Sequence, residues 1–454
     1  MTGDAMTGDA DVLIVGSGPL GIVAARRLAE AGLRVTVVEA GPAITDPPGS
    51  HLRNQRQFRL DPDSFFGAVG RHLNPVAGDL PGAAWSSLAG GQGILWTNNC
   101  TRAPDFQRWD AMSAEAWSRV YREAEQLLDV APDPAAASRT GVAVSERLRG
   151  ALAAEGRSIE GLPFSGRVSM EEDIHFDGPW EILQGAAPEA KERIDLRHGL
   201  TAARLHHRAG RVSGVELSGE AGSVNFEASI FLLASGAVGA PLLLHRSGIR
   251  PDALGRGVSF HALMFGQVVL SEELCPGAGD EDILPRLWIP PTEAAPWHMQ
   301  VLRDTCPLRP SESVDNPHRL LEFQAFLPME FREANALVID DEGRAAFRFA
   351  SSELDREGMS AMEADVRRLA EHLGPWRLGC EPTWMPDGNA HLVGTCRMDR
   401  DGWDGVTDRF GRVHGFDNLY LSTVGMFPSP VAVGPTLTGV ALTLGTCGAI
   451  TAST

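Results

Sequence analysis

A glycine-rich loop near the N-terminus constrains the fold of this 454-residue chain more than any other feature. Gly16, Gly18 and Gly21 form a G-x-G-x-x-G motif. The motif directly follows the apolar run Val12–Val15 and opens the helix-like segment Leu20–Ala31. In such a unit the first glycine permits a tight turn, the second lets a pyrophosphate approach, and the third lets helix and strand pack closely. The phosphates then lie at the positive end of the helix.

An acidic residue after the loop strengthens this interpretation. Glu39 follows the predicted second strand, Arg34–Val38. A carboxylate at this place can accept hydrogen bonds from the hydroxyls of a ribose, so a dinucleotide site is predicted over residues 11–39. The loop alone suits FAD or NAD. Its place near the N-terminus, and the later run Ile230–Ala237 that ends in small residues, favour FAD.

Composition limits the classes of partner. Asp and Glu number 59 against 40 Lys and Arg, a formal net charge of −19. This surplus argues against nucleic acid or an anionic membrane as a partner, since both require clustered cations. No apolar run reaches the roughly 18 residues that span a bilayer. The six cysteines include no C-x-x-C pair, so no metal site or dithiol centre is expected.

The chain divides into segments of different pattern. Residues 1–10 carry no signal-peptide pattern and are predicted to be a flexible lead-in, which favours a cytoplasmic location. Residues 11–259 are predicted to form the main part of an FAD-binding domain, with a surface excursion at 42–85. Residues 260–388 are predicted to form a substrate-binding domain, and 389–454 to return to the first. Elements expected in the second domain are a helix over Met359–Leu373 and strands over Gln267–Leu270, Leu320–Phe326, Ala336–Ile339 and Ala345–Phe349.

Segment 86–102 resembles the flavin-contacting stretch of the glucose–methanol–choline (GMC) family of FAD-dependent oxidoreductases. Its spacing is most similar to the pyranose-oxidase branch. In that branch the residue before the tryptophan is a histidine joined covalently to the flavin, whereas this chain has Leu95. The resemblance therefore implies non-covalent FAD, with Thr97 near flavin N5 and O4. The cofactor-binding residues expected here are Gly90, Gly91, Trp96, Thr97 and Asn98.

A second segment, Asn389–Met398, is similar to the family sequence H-x-x-G-T-x-R-M. The histidine of that sequence faces flavin N5, which implies the same place for His391. An alcohol can give a hydride to N5 only as its hydroxyl proton leaves, and a neutral imidazole can take that proton. His391 is therefore the expected catalytic base. A structural role is expected for the histidines at other positions, which include His51, His175, His206, His207 and His261.

A third pair of segments, 418–428 and 433–438, resembles the last strand, loop and closing helix of the family. Proline suits the first turn of a helix, and the N-terminus of this helix would face the N1–C2=O2 edge of the flavin. The cofactor contacts that the resemblance implies here are those of Gly425, Met426, Pro435 and Thr436.

Two positions depart from the family pattern. Thr423 stands where most members have Asp, although the pyranose-oxidase branch also lacks it. Gly434 stands where that branch has Asn and other branches have His, the second half of the catalytic pair. Glycine offers no side chain to the substrate oxygen. Either His391 acts alone, or another donor such as Asn98 or Asn99 replaces the missing group, or the reaction differs.

The resemblance implies an α/β fold: a Rossmann-type FAD-binding domain built from a discontinuous chain, and an α+β substrate domain with an antiparallel sheet, like that of p-hydroxybenzoate hydroxylase. It also implies oxidation of a CH–OH group in a sugar, glycoside, polyol or secondary metabolite, with oxygen, a quinone or a protein as electron acceptor. Gly434 motivates two alternatives. One is a redox-neutral, FAD-containing lyase or isomerase, and the other is an FAD-binding protein without catalysis.

Overall fold

A computed structural model describes residues 10–61, 67–169, 173–275, 282–303, 317–399 and 404–453. The predicted lead-in lies outside these residues except for Ala10, which begins the first strand. The helices are α1 (Pro19–Glu30), α2 (Arg56–Leu60), α3 (Ala114–Leu127), α4 (Arg139–Ala153), α5 (Pro179–Gln184), α6 (Pro188–Lys191), α7 (Gly236–Arg246), α8 (Glu353–Glu371) and α9 (Pro435–Ser453).

The strands follow in chain order. They are β1 (Ala10–Val15), β2 (Val35–Glu39), β3 (Leu73–Pro75), β4 (Ala77–Gly78), β5 (Ala84–Ser86), β6 (Val130–Ala131), β7 (Glu160–Gly161), β8 (Phe164–Ser169), β9 (Asp173–Phe176), β10 (Ile194–His198), β11 (Thr201–Arg208), β12 (Arg211–Gly219), β13 (Gly222–Phe226), β14 (Ala228–Leu233), β15 (His261–Val269), β16 (Arg286–Ile289), β17 (His298–Leu302), β18 (Leu320–Pro328), β19 (Ala336–Ile339), β20 (Ala345–Arg348), β21 (Thr383–Trp384) and β22 (Leu419–Leu421).

A parallel sheet carries the dinucleotide loop. Its strand order is β10-β2-β1-β14-β22, and every neighbouring pair is parallel. Val12, Leu13 and Ile14 of the central strand β1 are completely buried, as in a sheet covered on both faces. Strands β1, β14 and β22 are neighbours although they come from the start, middle and end of the chain. The expected α/β fold with a discontinuous FAD-binding core is therefore confirmed.

A six-stranded antiparallel sheet forms the second layer that matters for function. Its order is β21-β15-β18-β17-β16-β7. Because side chains alternate along a strand, one face buries apolar residues such as Met264 and Phe323 in a core with Met362 of α8. The other face is rich in polar and aromatic groups. Phe326 stands opposite His298, and Gln324 stands opposite Gln300.

Helix α8 begins earlier than the pattern of apolar residues predicts, at Glu353 instead of Met359. The reason is a capping box. The Ser352 hydroxyl accepts a hydrogen bond from the Asp355 N–H at 3.0 Å, and the Asp355 carboxylate accepts one from the Ser352 N–H at 2.8 Å. These bonds satisfy N–H groups that a helix start leaves without partners, so the polar first turn is stable.

Helix α9 closes the chain against the parallel sheet. Its length and mean hydropathy of 1.2 also suit a membrane span, but 61% of that stretch is buried inside the fold, as in a core helix. Polar side chains on it find protein partners: Thr438 bonds the Tyr121 hydroxyl at 2.9 Å, and Thr443 bonds Ser422 at 2.7 Å. These contacts join α9 to α3 and to the end of β22.

Candidate active site

The three glycines of the dinucleotide loop have different surroundings. A Cβ atom added at Gly21 would lie 2.1 Å from the carbonyl oxygen of Gly16, and one at Gly16 would lie 2.6 Å from that of Ala234. Both positions therefore require glycine. A Cβ at Gly18 would meet no atom of the described part of the chain within 4 Å. This open space beside the N-terminus of α1 fits the approach of an anionic pyrophosphate.

The carboxylate of Glu39 lies directly behind this loop. It is 7% exposed and accepts hydrogen bonds from the Ser17 N–H at 3.0 Å, the Ser17 hydroxyl at 2.9 Å and the Gly41 N–H at 3.0 Å. Burial raises the pKa of Glu39. An acceptor held at the end of β2 in this way fits the hydroxyls of a ribose.

The Gly-Gly stretch of segment 86–102 reaches the same loop. The Gly90 N–H donates to the Ser17 hydroxyl at 2.9 Å, and a Cβ added at Gly91 would lie 3.2 Å from the Cα of Gly18. Positive φ angles of 88° at Gly90 and 55° at Gly91 allow this close approach. The dinucleotide loop and the Gly-Gly stretch, which are distant in sequence, are therefore in direct contact.

The end of β14 and the closing loop meet at this place too. Among the described residues, the buried Ser235 hydroxyl has no hydrogen-bond partner, and a Cβ added at Gly236 would meet no atom within 4 Å. Thr395 donates to the Ala237 carbonyl at 2.6 Å, and a Cβ at Gly425 would lie 2.6 Å from the Thr395 hydroxyl. The unpartnered hydroxyl and the open space fit a bound dinucleotide, so the described residues are compatible with FAD.

The segment after Gly-Gly is anchored to the protein backbone. The Trp96 indole N–H donates to the Asp177 carbonyl at 3.0 Å. The Asn98 amide donates to the same carbonyl at 2.6 Å and to that of Ser165 at 2.7 Å. Since its N–H groups are engaged, Asn98 is poorly suited to replace the amide missing at position 434.

Asn99 joins the flavin segment to the antiparallel sheet. Its amide N–H groups donate to the Thr97 hydroxyl at 3.1 Å and to the side-chain oxygen of Gln300 at 2.8 Å. Its own oxygen accepts from the Arg286 guanidinium. The Gln300 amide in turn donates to His298 Nε2 at 3.0 Å. A continuous polar network therefore runs from Thr97 to the polar face of the sheet.

His391 lies on a loop that is paired along its length with the entry to β15. Ser259 and Val393 exchange backbone hydrogen bonds of 3.2 and 2.9 Å, and the His261 N–H donates to the Ala390 carbonyl at 3.1 Å. His391 itself has a φ of +59°, an uncommon conformation for a residue with a side chain. The pairing holds its backbone in this conformation, which is typical of functional sites.

Three imidazoles surround the ring of Phe326. Its centroid lies 5.5 Å from that of His391, 5.7 Å from His298 and 5.9 Å from His261. Burial lowers the pKa of His261 to about 4 and that of His298 to about 3. Burial, with the nearby His261 and His298, also holds the pKa of His391 well below the ordinary value. A neutral His391 can accept a proton at neutral pH.

The catalytic end also has room at Gly434. A Cβ added there would meet one atom within 4 Å, the Asn99 carbonyl oxygen at 3.7 Å. A Cβ atom at this position would therefore be accommodated. The glycine at this position, where the family resemblance implies a polar side chain, is therefore not imposed by crowding around its Cβ position.

The remaining predicted positions lie along the closing loop and helix. The Cys396 N–H donates to the Gly425 carbonyl at 2.8 Å, and the Met398 N–H donates to the Met426 carbonyl at 2.7 Å. These bonds join the His391 segment to the loop that precedes α9. Pro435 and Thr436 form the first turn of that helix.

Sequence reasoning did not find several polar residues near His391. They are His261, which was expected to be structural, and the sheet residues His298, Gln300 and Gln324. The signal that marks the sheet residues is the alternation of polar and apolar side chains over 298–302 and 322–326. For His261 the sequence holds no local signal, because its partner is distant along the chain.

Known proteins share both the sequence pattern and the fold. The model of the FAD-dependent oxidoreductase family matches residues 11–264, more than half of the chain, and the model of the GMC oxidoreductase family matches residues 338–443. A C-glycoside 3-oxidase of Microbacterium trichothecenolyticum is 28% identical, over 95% of this chain and 94% of that protein. A pyranose 2-oxidase of Tricholoma matsutake is 25% identical, over 96% and 92%.

A solved structure supports the fold. Pyridoxine 4-oxidase from Mesorbium loti superposes with a TM-score of 0.72 over 97% of this chain and 99% of that one, at 18% identity. The sequence motifs, the parallel sheet with its dinucleotide loop and the two family matches all agree. The chain belongs to the GMC family of FAD-dependent oxidoreductases.

Proposed function

We propose that this protein oxidises a CH–OH group of a sugar or glycoside and that His391 is the catalytic base. Bound FAD would accept the hydride at N5. The hydroxyl proton would pass to His391 as the C–H bond breaks and the C=O bond forms. The single observation that carries the proposal is that His391 lies beside a face of the antiparallel sheet that is rich in amide and imidazole groups.

The polar network supports a polyhydroxylated substrate. The side chains of Gln300 and Gln324 stand opposite each other on this face, and an amide can both donate and accept hydrogen bonds, as sugar hydroxyls require. Phe326 and Trp288 add aromatic surface beside His298. A C-glycoside 3-oxidase and a pyranose 2-oxidase among the relatives support the same substrate class. The redox-neutral alternative is not favoured, because these relatives are oxidases.

Anaerobic mixing with a panel of pyranoses, O-glycosides and C-glycosides tests the proposal. At least one member should bleach the oxidised flavin, and His391→Asn should slow the bleaching about 1000-fold while FAD stays bound. His206→Asn, on the exposed face of β11, is the matched control and should react like the wild type. If no alcohol bleaches the flavin, or if His391→Asn reacts at the wild-type rate, the proposal fails. Turnover without bleaching and without an acceptor would favour the lyase or isomerase.

We propose molecular oxygen as the electron acceptor and a non-covalent link to FAD. The first point is supported by relatives that are named oxidases. The second is supported by Leu95, which has no nucleophile. Oxygen uptake during turnover would test the acceptor. Acid precipitation should release all FAD into the supernatant, and yellow colour kept in the pellet would contradict a non-covalent link.

We also propose a cytoplasmic location, a soluble small-molecule substrate and no membrane or nucleic-acid partner. The free cysteines among the described residues support a reducing compartment; they are Cys100, Cys275, Cys380, Cys396 and Cys447. Fractionation of cells that express the full chain would test the location, and recovery in the membrane fraction would contradict it.

A further inference from the structure

The backbone carbonyl of Val431 determines where His261 carries its proton. His261 Nε2 lies within hydrogen-bonding distance of that oxygen. A carbonyl oxygen only accepts hydrogen bonds, so the proton belongs to Nε2. The ring is neutral, since burial lowers the pKa of His261 to about 4. A neutral imidazole with its proton on Nε2 has a lone pair on Nδ1.

That lone pair determines the proton position on His391. The Nδ1 atoms of His261 and His391 are 2.7 Å apart, and their rings are nearly perpendicular, at 84°. Two lone pairs or two N–H groups would repel at this distance, so one nitrogen donates to the other. Because His261 Nδ1 has the lone pair, His391 Nδ1 is the donor. Neutral His391 then has its own lone pair on Nε2.

We propose that His261 is a positioning residue, which holds His391 in the Nδ1–H tautomer so that Nε2 takes the hydroxyl proton of the substrate. This inference rests on the proposed function. The substrate O–H bond breaks and an N–H bond forms on Nε2. The electron pair of the C–H bond leaves with the hydride, and the carbonyl forms. His261 does not touch the reacting atoms.

The same contact stabilises the product of proton transfer. Once His391 Nε2 is protonated, its Nδ1–H bond to His261 becomes charge-assisted and therefore stronger. The Val431 carbonyl accepts the Nε2–H of His261, on the side of that ring away from His391. Its negative end makes His261 a stronger acceptor and so stabilises the positive charge on His391. A base that is oriented by a third group is a general arrangement in enzymes. Here the acceptor behind the base is a neutral imidazole.

His261 is better placed for this role than the other imidazole near Phe326. His298 Nε2 accepts from the Gln300 amide, so this ring belongs to the network that leads to Asn99. The backbone N–H of His261 also bonds to the Ala390 carbonyl, next to His391. The two rings are therefore held together by both side-chain and backbone contacts.

Nitrogen-15 NMR of the full protein measures directly which tautomer His391 adopts. In protein labelled at histidine, two-bond proton–nitrogen correlations should show His391 with a protonated Nδ1 and a bare Nε2, both with and without FAD. His391→Asn assigns the signal. His261→Phe keeps an aromatic ring against Phe326 but removes the acceptor. It should give a mixture of His391 tautomers and slow anaerobic flavin reduction about 100-fold, with KM unchanged.

Two further variants separate positioning from folding. His261→Gln keeps an acceptor oxygen and should recover most of the lost rate. His207→Phe is the control, because His207 also bonds a backbone carbonyl, that of Ser247 at 2.9 Å, but lies on β11 away from His391. It should change neither tautomer nor rate.

Two results would overturn the proposal. One is a wild-type His391 that carries its proton on Nε2, and the other is wild-type flavin reduction in His261→Phe. If His261→Phe does not fold, two other measurements test the proposal. The wild-type His391 should carry its proton on Nδ1, and His261→Gln should retain most of the wild-type rate of flavin reduction. If no sugar reduces the flavin, the proposed function fails, but the NMR measurement still tests the role of His261.

Discussion

The dinucleotide end of this molecule, around Gly16–Gly21, and the proposed catalytic end, around His391, are built in different ways. At the dinucleotide end, the centre of the site is a local motif in which Gly21 packs on the carbonyl of Gly16, and the distant Gly90 and Ala234 pack against that motif. At the catalytic end, side chains meet across large separations: 130 residues part His391 from His261, and 201 residues part Gln300 from Asn99. The first site follows from a local pattern, whereas the second depends on the register of an antiparallel sheet.

The two ends also differ in how they treat polar groups. The dinucleotide end leaves open space at Gly18 and Gly236, which a ligand can fill. The catalytic end buries imidazoles and amides that must bond one another, since an unpaired buried polar group costs about 1–3 kcal/mol. Substitutions at the dinucleotide end should therefore change the affinity for FAD. Substitutions at the other end should change KM for the substrate and the rate of flavin reduction.

The largest effect is expected from Gly18→Ala. The new methyl group has room in the fold but takes the space that we assign to the pyrophosphate, so FAD affinity should fall about 1000-fold, roughly 4 kcal/mol. Titration of the apoprotein with FAD measures this, and thermal unfolding of the apoprotein should be unchanged. Gly150→Ala in α4, where the added Cβ is equally free of contacts, should bind FAD normally. Normal affinity in Gly18→Ala would mean that the pyrophosphate lies elsewhere.

The same contrast explains what the sequence could predict. The parallel strands and the loop at Gly16 were predictable because buried parallel strands are continuous apolar runs and glycine motifs are local. Strands β15 and β18 were predicted in part, over their most apolar residues. Strands β16 and β17 were missed because residues such as Arg286 and His298 are polar but face inward. Their burial follows from pairing with distant strands, which no local window contains.

For the candidate site, the sequence identified the residues that belong to motifs and missed those defined by contact alone. His391 was found through its resemblance to a family segment. His261 was interpreted as structural, because nothing near it in sequence indicates that it lies 2.7 Å from His391. The replacement amide suggested at Asn98 is bound to backbone carbonyls, whereas Asn99 belongs to the polar network.

The second effect is a fall in the free energy of unfolding as the pH is lowered. His51, His261 and His298 are buried, and burial lowers their pKa values to about 3, 4 and 3. Below their unfolded value of about 6.5, the unfolded chain binds protons that the native chain does not, so each histidine lowers the free energy of unfolding by about 1.4 kcal/mol per pH unit. From pH 7 to 5.5 the three together should cost about 4 kcal/mol. The raised pKa of Glu39 has the opposite sign, because acidification favours the native protonated form.

Urea unfolding with excess FAD at several pH values measures this dependence. His298→Gln should lower the pH slope by about a quarter, since one of four protons is removed once His391, whose pKa burial also lowers, is included. His206→Gln, at an exposed position on β11, should leave the slope unchanged. Equal slopes in wild type and His298→Gln would show that this imidazole is not buried in the neutral form.

The third effect should be confined to the catalytic end. Gln300→Leu removes hydrogen bonds to Asn99 and His298 and a polar group from the substrate face, so KM for the sugar should rise about 20-fold, near 2 kcal/mol. FAD affinity should not change. Gln267→Leu is the matched control, because Gln267 bonds Glu322 on the same sheet face. It should lower stability without raising KM, and an equal rise in KM for both variants would contradict a local role of Gln300.

The smallest effect is expected from Gly434→Asn, which restores the second polar side chain of the family pattern. The structure has room for its Cβ atom, since among the described residues the nearest atom to that Cβ would be the Asn99 carbonyl oxygen, at 3.7 Å. If His391 acts with support only from His261 behind it, an amide in front should hold the substrate oxygen and raise the rate of flavin reduction about 5-fold, near 1 kcal/mol. Gly434→Leu occupies similar space without an amide and should not raise the rate. Stopped-flow measurement of flavin reduction in both variants tests whether Gly434 marks a missing hydrogen-bonding group or provides space for the substrate. If both variants are slower, and only with bulky glycosides, the space at Gly434 accommodates the substrate, and the second catalytic group was lost to admit it.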